Sequence, residues 1–317
     1  MKQLKGDLIL LITAIIWGTS FVSQKLGMNY IEPFTFGASR FLLGAVVLIP
    51  VIIFFDKMNK KSTSSKKMNN QLNEQKKVKF QTKDLIIGGI LCGSALFFGA
   101  SFQQWGIMGT TAGKAGFITA LYIVLVPIFG LFMNKKVNLL TWFGVALAIF
   151  GLYLLTIQEG FTLERGDALV LVGTVFWALQ IIFVDMFVDK VEGLKLSCIQ
   201  FVTAGILSAI AAFIFETPQI GAIIEGSVVI IYTAVMVVGV AYTLQIIGQK
   251  YTSPTAAAII MSLESVFAVI SGAIFLGESM NAKEMLGCFI MFVAVVITQL
   301  KPEDLKKFMR KGAKEYS

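Results

Sequence analysis

Long apolar blocks separated by short polar segments dominate the hydrophobic pattern of this chain. Each block is about 20 residues long, which is the length that an α-helix needs to cross the hydrocarbon core of a bilayer. No soluble core requires blocks of this length. The pattern therefore predicts an all-α membrane protein. The predicted spans are 7–26, 33–55, 84–108, 112–133, 137–157, 167–188, 193–215, 227–249, 254–276 and 281–300.

The ten spans form two halves that match helix by helix. Such internal similarity is the signature of a repeat. Because five spans is an odd number, the two copies must run in opposite directions across the membrane. We therefore predict ten transmembrane helices in two inverted five-helix repeats, an arrangement typical of secondary transporters. The matched positions include Gly6-Asp7 and Gly166-Asp167, Trp17 and Trp177, Gln103 and Gln245, Leu121 and Leu263, and Gly130 and Gly272.

The repeats set the predicted domain boundaries. Residues 1–157 form the first repeat and residues 158–300 form the second. The segment 56–83 is rich in Lys, Ser, Asn and Gln without apolar periodicity, so we expect a disordered loop. Residues 301–317 form a basic tail, either an interfacial helix or a solvent-exposed segment.

Composition and charge narrow the possible functions. The chain is 56% hydrophobic and 15% charged, and it contains no His. The three cysteines lie inside apolar runs without metal-ligand spacing. The net charge of +8 comes mostly from loop lysines, so it indicates membrane topology rather than a nucleic-acid partner. Nearly all Lys and Arg fall on one side, which predicts a multi-pass protein of the cell membrane with both termini cytoplasmic.

Glu264 is the most informative polar residue. It lies ten residues after Pro254, roughly 15 Å along a helix, about half of a ~30 Å hydrocarbon core. A carboxyl at the midplane is costly, so it is a functional candidate by default. Two roles are open: it binds a substrate ammonium, or it exchanges the coupling proton. The alternative is a structural hydrogen bond between helices.

Arg40 lies at a similar depth, seven residues after Pro33 and roughly 10 Å below the outer surface. If the second and ninth helices are neighbours, Arg40 and Glu264 can pair or hold opposite ends of a zwitterion. The sequence equally allows Arg40 to snorkel outward or to hold backbone carbonyls.

Further candidates surround these two charges. Trp17 and Trp177 lie inside their spans near Ser20 and Gln180, a combination that suits a pocket with an apolar body and a few polar contacts, or core packing. Helix–helix hydrogen bonds are the alternative role for the remaining polar candidates. Those remaining binding candidates are Tyr122, Gln103, Gln245 and Tyr242. Lys25 and Asp185, which match across the repeat, are candidate coupling or gating residues.

Several segments resemble a known family. Trp17-Gly18-Thr19-Ser20-Phe21 resembles the W-G-[ST]-x-F signature of the drug/metabolite transporter superfamily, EamA type. Segments 110–127 and 253–278 resemble the fourth and ninth helices of that family. The resemblance implies a ten-helix inner-membrane carrier, often an exporter of amino acids, drugs or other small metabolites, without a bound cofactor. Ser265 stands where that family often has the proline of L-E-P, so a proline kink is not implied.

These observations favour a secondary transporter of a small metabolite or drug that works by alternating access through a central site between the two repeats. Export is what the resemblance implies. The first alternative is an intramembrane enzyme acting on lipid, which would usually show clustered His and acidic ligands or an activated nucleophile. This chain has no His and one carboxylate deep in a span, which weighs against an enzyme. The second alternative is a channel, which would need a continuous polar stripe, whereas the polar residues here converge on the middle of the membrane. The expected partners are a small-molecule substrate, the lipid bilayer and, as one of the open roles, a proton. Monomer and homodimer both remain open.

Overall fold

A computed structural model of the chain describes residues 2–63, 71–110, 112–134, 137–156, 164–276 and 282–299. The described residues form helices and connecting turns, without a strand. This confirms the predicted all-α class. The principal helices are α1 (Lys2–Gly27), α2 (Pro33–Thr63), α3 (Gln71–Met108), α4 (Ala112–Ala120 and Tyr122–Phe132), α5 (Leu139–Thr156), α6 (Arg165–Phe187), α7 (Gly193–Phe215), α8 (Ser227–Gln249), α9 (Pro254–Met261 and Glu264–Leu276) and α10 (Ala282–Gln299).

Eight of the described helices are long and apolar enough to cross a membrane. The apolar segments of α5 and α10, Leu139–Leu154 and Met285–Ile297, are shorter. A further short helix, Ile220–Glu225, precedes α8 and was not predicted. Large apolar side chains such as Phe132 and Phe213 are exposed on the outer faces of the bundle. Since lipid tails are apolar, such exposure is expected for a protein embedded in a bilayer.

Helix contacts follow the two-repeat pattern. Helix α1 packs against α8 and α9, and its counterpart α6 packs against α3 and α4. Helices α2 and α7 pack together, as do α5 and α10. Each half therefore places its first helix against the third and fourth helices of the other half. This exchange brings the two repeats together around a common centre.

The α2–α7 pair is held at both ends. At one end, the Glu216 carboxylate accepts hydrogen bonds from the backbone N–H groups of Phe34 (2.6 Å) and Thr35 (2.7 Å), which caps the start of α2. At the other end, Lys195 near the start of α7 forms an ion pair with Asp56 at 3.2 Å. Asp56 and Glu216 occupy matched positions in the two repeats. The ends of the pair are therefore related by the inverted repeat.

The connection between α2 and α3 differs from the sequence prediction. The disordered loop predicted for 56–83 is wrong at its borders, because α2 continues to Thr63 and α3 begins at Gln71. Lys, Gln and Glu are good helix formers, so a helix can continue beyond its apolar span. Residues 64–70, residues 277–281 and the tail 301–317 lie outside the described residues.

Helices α4 and α9 are each interrupted near the middle, at matched positions. The interruptions carry hydrogen bonds of three-residue spacing, from Leu121 N to Ile118 O and from Leu263 N to Ile260 O, both 3.2 Å. In α9 the Ser262 hydroxyl also donates to the carbonyl of Ile259 at 2.7 Å. Such serine bonds to the backbone bend helices, so this break needs no proline. Despite these breaks, each helix remains a single candidate membrane span, Ala115–Phe132 and Pro254–Phe275.

Gly18 allows α1 to approach the interrupted part of α9. A Cβ atom at Gly18 would lie 2.7 Å from the Glu264 carbonyl oxygen, which is closer than real Cβ contacts. We expect Gly18→Ala to force the helices apart and to lower the apparent Tm of purified protein by about 2–10 °C. Gly113→Ala is the matched control, because a Cβ there meets no heavy atom within 4 Å. Equal melting temperatures for the two variants would contradict the close-packing account.

Candidate functional site

A cavity of about 30 Å³ lies where the two halves meet. Its volume accommodates one or two water-sized molecules, well below the roughly 300 Å³ of small-ligand pockets. All ten residues predicted to bind substrate line this cavity. They are Trp17, Ser20, Arg40, Gln103, Tyr122, Trp177, Gln180, Tyr242, Gln245 and Glu264. The structure therefore brings together side chains from seven helices, contributed by both repeats.

Glu264 provides the carboxylate of the cavity. Its side chain is 4% exposed, and its Oε1 atom accepts a hydrogen bond from the Tyr122 hydroxyl at 3.1 Å. Both residues begin the second segment of an interrupted helix. A helix N-terminus favours negative charge, so the break in α9 reduces the cost of placing a carboxylate here. Tyr122 occupies the position in the first repeat that matches Glu264 in the second.

Arg40 provides the positive charge. It is 4% exposed, and its Nη1 atom donates to the Gln24 side-chain oxygen at 3.0 Å. Its guanidinium carbon also lies 4.9 Å from the ring centroids of Phe36 and Phe41. Within the described chain, Arg40 Nε has no hydrogen-bond partner. The outward-snorkelling alternative is therefore wrong for Arg40, because the side chain points into the protein interior.

The two charges share the cavity without forming an ion pair. Glu264 binds Tyr122 and Arg40 binds Gln24, and no N···O distance between Arg40 and Glu264 is within 4.0 Å. An opposite-charge pair that is buried but separated leaves each group able to interact with a third molecule. The spacing thus favours the zwitterion hypothesis over direct pairing.

Aromatic rings form one wall of the cavity. The ring of Tyr242 lies 4.8 Å from that of Trp17 and 6.1 Å from that of Trp177, centroid to centroid. The two tryptophans are buried, and their indole N–H groups have no acceptor among the described residues. A buried donor without a partner is costly. Together with Arg40 Nε, these groups give the residues that line the cavity three N–H donors without a partner, which a ligand oxygen could satisfy.

Amide side chains connect α6 with α7 and α8. Gln180 and Gln245 exchange hydrogen bonds of 2.8 and 3.3 Å, and Gln180 also donates to Gln200 at 3.3 Å. In the other half, Gln103 donates to the Thr119 hydroxyl at 3.3 Å. These amides therefore join neighbouring helices as well as lining the cavity. The two roles that the sequence left open are compatible at these positions.

The predicted gating residues lie away from the cavity lining. The Lys25 ammonium donates to the Thr110 carbonyl at 3.0 Å, at the end of α1 opposite Asp7. Asp185 is half-buried on α6. Three apolar residues of the lining, Phe21, Ile181 and Val237, were not predicted from the sequence. The polar residues Gln24 and Thr119 complete the lining. Apolar residues within apolar spans carry no signal that separates cavity lining from helix packing.

The described residues contain no group of three or more His, Cys, Asp or Glu side chains placed to hold a metal ion. The chemistry that the cavity offers is recognition by one carboxylate, one guanidinium, indole N–H groups and amides. This set can bind ammonium and carboxylate groups through charge-assisted hydrogen bonds.

Comparison with known families decides the identity of the fold. The EamA-like transporter family matches residues 4–157 and again residues 164–300. The chain belongs to the EamA-like transporter family. The resemblance seen in the sequence is thereby confirmed, as is the arrangement of ten helices in two inverted repeats. The EamA chain is accordingly a multi-pass membrane transporter.

Individual relatives agree with this membership. An uncharacterized transporter of Archaeoglobus fulgidus is 31% identical over 302 residues, covering 95% of this chain and 88% of the relative. The uncharacterized inner membrane transporter YedA of Escherichia coli is 23% identical over 300 residues, covering 90% and 88% of the two chains. A solved crystal structure superposes on this EamA chain with a TM-score of 0.73 at 15% identity, covering 95% and 98%. That structure supports the fold alone.

Proposed function

We propose that this transporter carries a small zwitterionic, amino-acid-like metabolite by alternating access and acts in export. The observation that carries the proposal is the cavity itself. One carboxylate and one guanidinium face it, each buried and not paired with the other. Glu264 is assigned to the substrate ammonium and Arg40 to its carboxylate, with the indole N–H groups of Trp17 and Trp177 as further donors.

The size of the cavity supports a moving carrier. A cavity of about 30 Å³ cannot enclose an amino acid, so the helices that line it must separate before substrate enters. Because the lining comes from both repeats, this separation moves one half relative to the other. Inverted-repeat transporters work in this way around a site near the midplane.

A thermal-shift series tests the substrate class. Purified protein is heated with amino acids, with the matching amines that lack the carboxylate, and with the matching acids that lack the amine. We expect some amino acid to raise the apparent Tm, since ligand binding stabilises the folded state. Its amine and acid counterparts should give smaller shifts at equal concentration.

The variants Glu264→Gln and Arg40→Gln complete this series. Glu264→Gln should abolish the advantage of the amino acid over the acid, and Arg40→Gln its advantage over the amine. Uptake of the stabilising compound with and without a proton gradient then tests coupling and direction. The proposal is wrong if no amino acid stabilises the protein or if both variants respond as the unaltered protein does.

A further inference from the structure

Two hydrogen bonds at opposite ends of the helix bundle are equivalent under the internal repeat. The Thr252 hydroxyl donates to Asp7 Oδ1 at 2.9 Å, and the Thr110 hydroxyl donates to Asp167 Oδ1 at 2.5 Å. Asp7 and Asp167 occupy matched positions in the two repeats, with the same separation as Trp17 and Trp177. Thr110 and Thr252 likewise match with the separation of Gln103 and Gln245. Both bonds are therefore the same contact, made once by each half.

The two bonds lie at opposite ends of α1. Asp7 is in its first turns, whereas Lys25 near its other end donates to the carbonyl of Thr110 at 3.0 Å. The separation of 18 residues (25 − 7) corresponds to roughly 27 Å along a helix, close to the ~30 Å hydrocarbon core. Trp17, which lines the cavity, lies about halfway between them. The cavity is thus flanked by one Thr–Asp bond on each side.

Each bond also joins the first repeat to the second. Asp7 belongs to the first and Thr252 to the second, while Thr110 belongs to the first and Asp167 to the second. Any movement that separates the halves at one membrane face must therefore break the bond at that face. It can leave the bond at the other face intact.

Glycines allow close contact between helices beside both bonds. A Cβ atom at Gly6 would lie 2.6 Å from the Thr252 hydroxyl oxygen and 3.0 Å from the carbonyl oxygen of Gly248. A Cβ atom at Gly166 would lie 2.7 Å from the carbonyl oxygen of Gly106. Gly106 and Gly248 are again matched positions. With backbone against backbone at each place, α1 closes against α8 and α6 closes against α3.

We propose that Thr252–Asp7 and Thr110–Asp167 are paired latches, each holding the cavity shut toward one membrane face. The inference deepens the proposed function and rests on it: in alternating access the two latches open in turn. Asp7, Asp167, Thr110 and Thr252 are positioning residues, because they act through the helices and do not line the cavity.

The Asp167 latch is held more firmly. Asp167 is fully buried, and its second carboxylate oxygen accepts the backbone N–H of Glu164 at 3.0 Å in a capping box at the start of α6. The Lys25 bond to Thr110 supports the same latch. Asp7 is half-buried. The Thr252–Asp7 face, which the charge distribution assigns to the cytoplasm, is therefore the face that opens more readily.

Two matched reporter positions test the latches. Leu10 and Val170 are fully buried and pack on Gly248 and Gly106, respectively, just inside the two bonds. In a background with Cys92, Cys198 and Cys288 replaced by Ala, either Leu10→Cys or Val170→Cys is added. The rate of modification by a small water-soluble thiol reagent is then measured on protein in nanodiscs, where both faces are accessible. Before any latch is altered, Leu10→Cys should react faster than Val170→Cys.

Isosteric removal of one hydroxyl should open one face. We expect Thr252→Val to raise the reaction rate of the cysteine at position 10 about tenfold, the effect of losing one hydrogen bond to a charged group. The rate at position 170 should stay equal or fall. Thr110→Val should have the reverse effect, and the matched variants Thr252→Ser and Thr110→Ser should keep the original rates because they keep the hydroxyl.

The outcomes separate the latch from the proposed function. The latch proposal is wrong if the modification rates are unchanged in both valine variants. It is also wrong if a valine variant accelerates modification equally at positions 10 and 170, because that result indicates general loosening of the helix bundle. If counterflow transport persists in that case, the carrier proposal stands without them. If each valine variant opens one face but the protein shows no counterflow, the latches stand and the proposed carrier function is wrong. If a cysteine variant fails to fold, hydrogen exchange replaces thiol modification as the readout. The latches then predict faster exchange confined to residues 2–10 in Thr252→Val and to residues 164–172 in Thr110→Val.

Discussion

Replacing Glu264 with Gln is expected to lower the transport rate of the reconstituted protein by tenfold or more. Glutamine keeps the size of the side chain and an oxygen that can accept the Tyr122 hydroxyl, which lies 3.1 Å from the carboxylate. What disappears is the negative charge facing the cavity. A hydrogen bond to a charged group contributes about 1.5–3 kcal/mol, which corresponds to roughly tenfold or more in affinity or rate.

The same variant should remain folded. A buried carboxylate is expensive to desolvate, and a neutral amide of the same shape is less so. We therefore expect the apparent Tm of Glu264→Gln to equal or exceed that of the unaltered protein. Glu225→Gln is the matched control, since Glu225 lies exposed at the end of a short helix and its replacement should leave transport unchanged. Unaltered transport across pH in Glu264→Gln would reduce Glu264 to a structural role.

The two roles of Glu264 predict different residual activities. If Glu264 binds the substrate ammonium, Glu264→Gln should weaken both exchange and gradient-driven accumulation. If it exchanges the coupling proton, accumulation driven by a proton gradient should be lost while substrate exchange persists. Measuring both activities on the same proteoliposome preparation separates the two roles.

Replacing Arg40 with Gln should also lower transport by at least tenfold. Gln200 occupies the matched position in the second repeat, so glutamine is a side chain that this fold already places there. The change removes the guanidinium that lies among Gln24, Phe36 and Phe41. A substrate carboxylate would lose a charge-assisted partner whose geometry suits bidentate hydrogen bonding.

Arg40→Lys is the informative comparison. Lysine keeps the positive charge but lacks the planar fork and the stacking surface of the guanidinium. We expect intermediate transport, with a larger effect on substrate affinity than on maximal rate. Apparent Tm values measured on the same preparations control for folding. Equal activity in Arg40→Gln and the unaltered protein would remove Arg40 from the binding site.

The polar residues of the cavity could be predicted from the sequence because polar side chains inside apolar spans are costly. Glu264, Arg40 and the matched glutamines stood out for that reason, and the structure places them around one cavity. The apolar residues of the lining, such as Ile181 and Val237, could not be predicted. An isoleucine in a membrane span looks the same whether it faces a cavity, another helix or lipid.

Local departures from regular helix were also hidden. The interruptions at Leu121 and at Ser262-Leu263 lack proline, and α8 contains a π-helical segment, Thr233–Tyr242, that ends at the cavity residue Tyr242. At the break in α9 the Ser262 hydroxyl donates to the Ile259 carbonyl, a contact that residue propensities do not reveal. The matched aspartates, Asp7 and Asp167, were visible as repeat markers. Their bonds to Thr252 and Thr110 required knowledge of which helices meet.

Counterflow in proteoliposomes tests the central claim most directly. Vesicles containing the protein are loaded with a high concentration of the compound that stabilises it in the thermal-shift series, and are diluted into a trace of the labelled compound. A site that alternates between the two faces should produce transient accumulation of label above equilibrium, and Glu264→Gln should reduce it. Simple equilibration of label, without an overshoot and with the same rate in Glu264→Gln, would contradict a carrier with its site in this cavity.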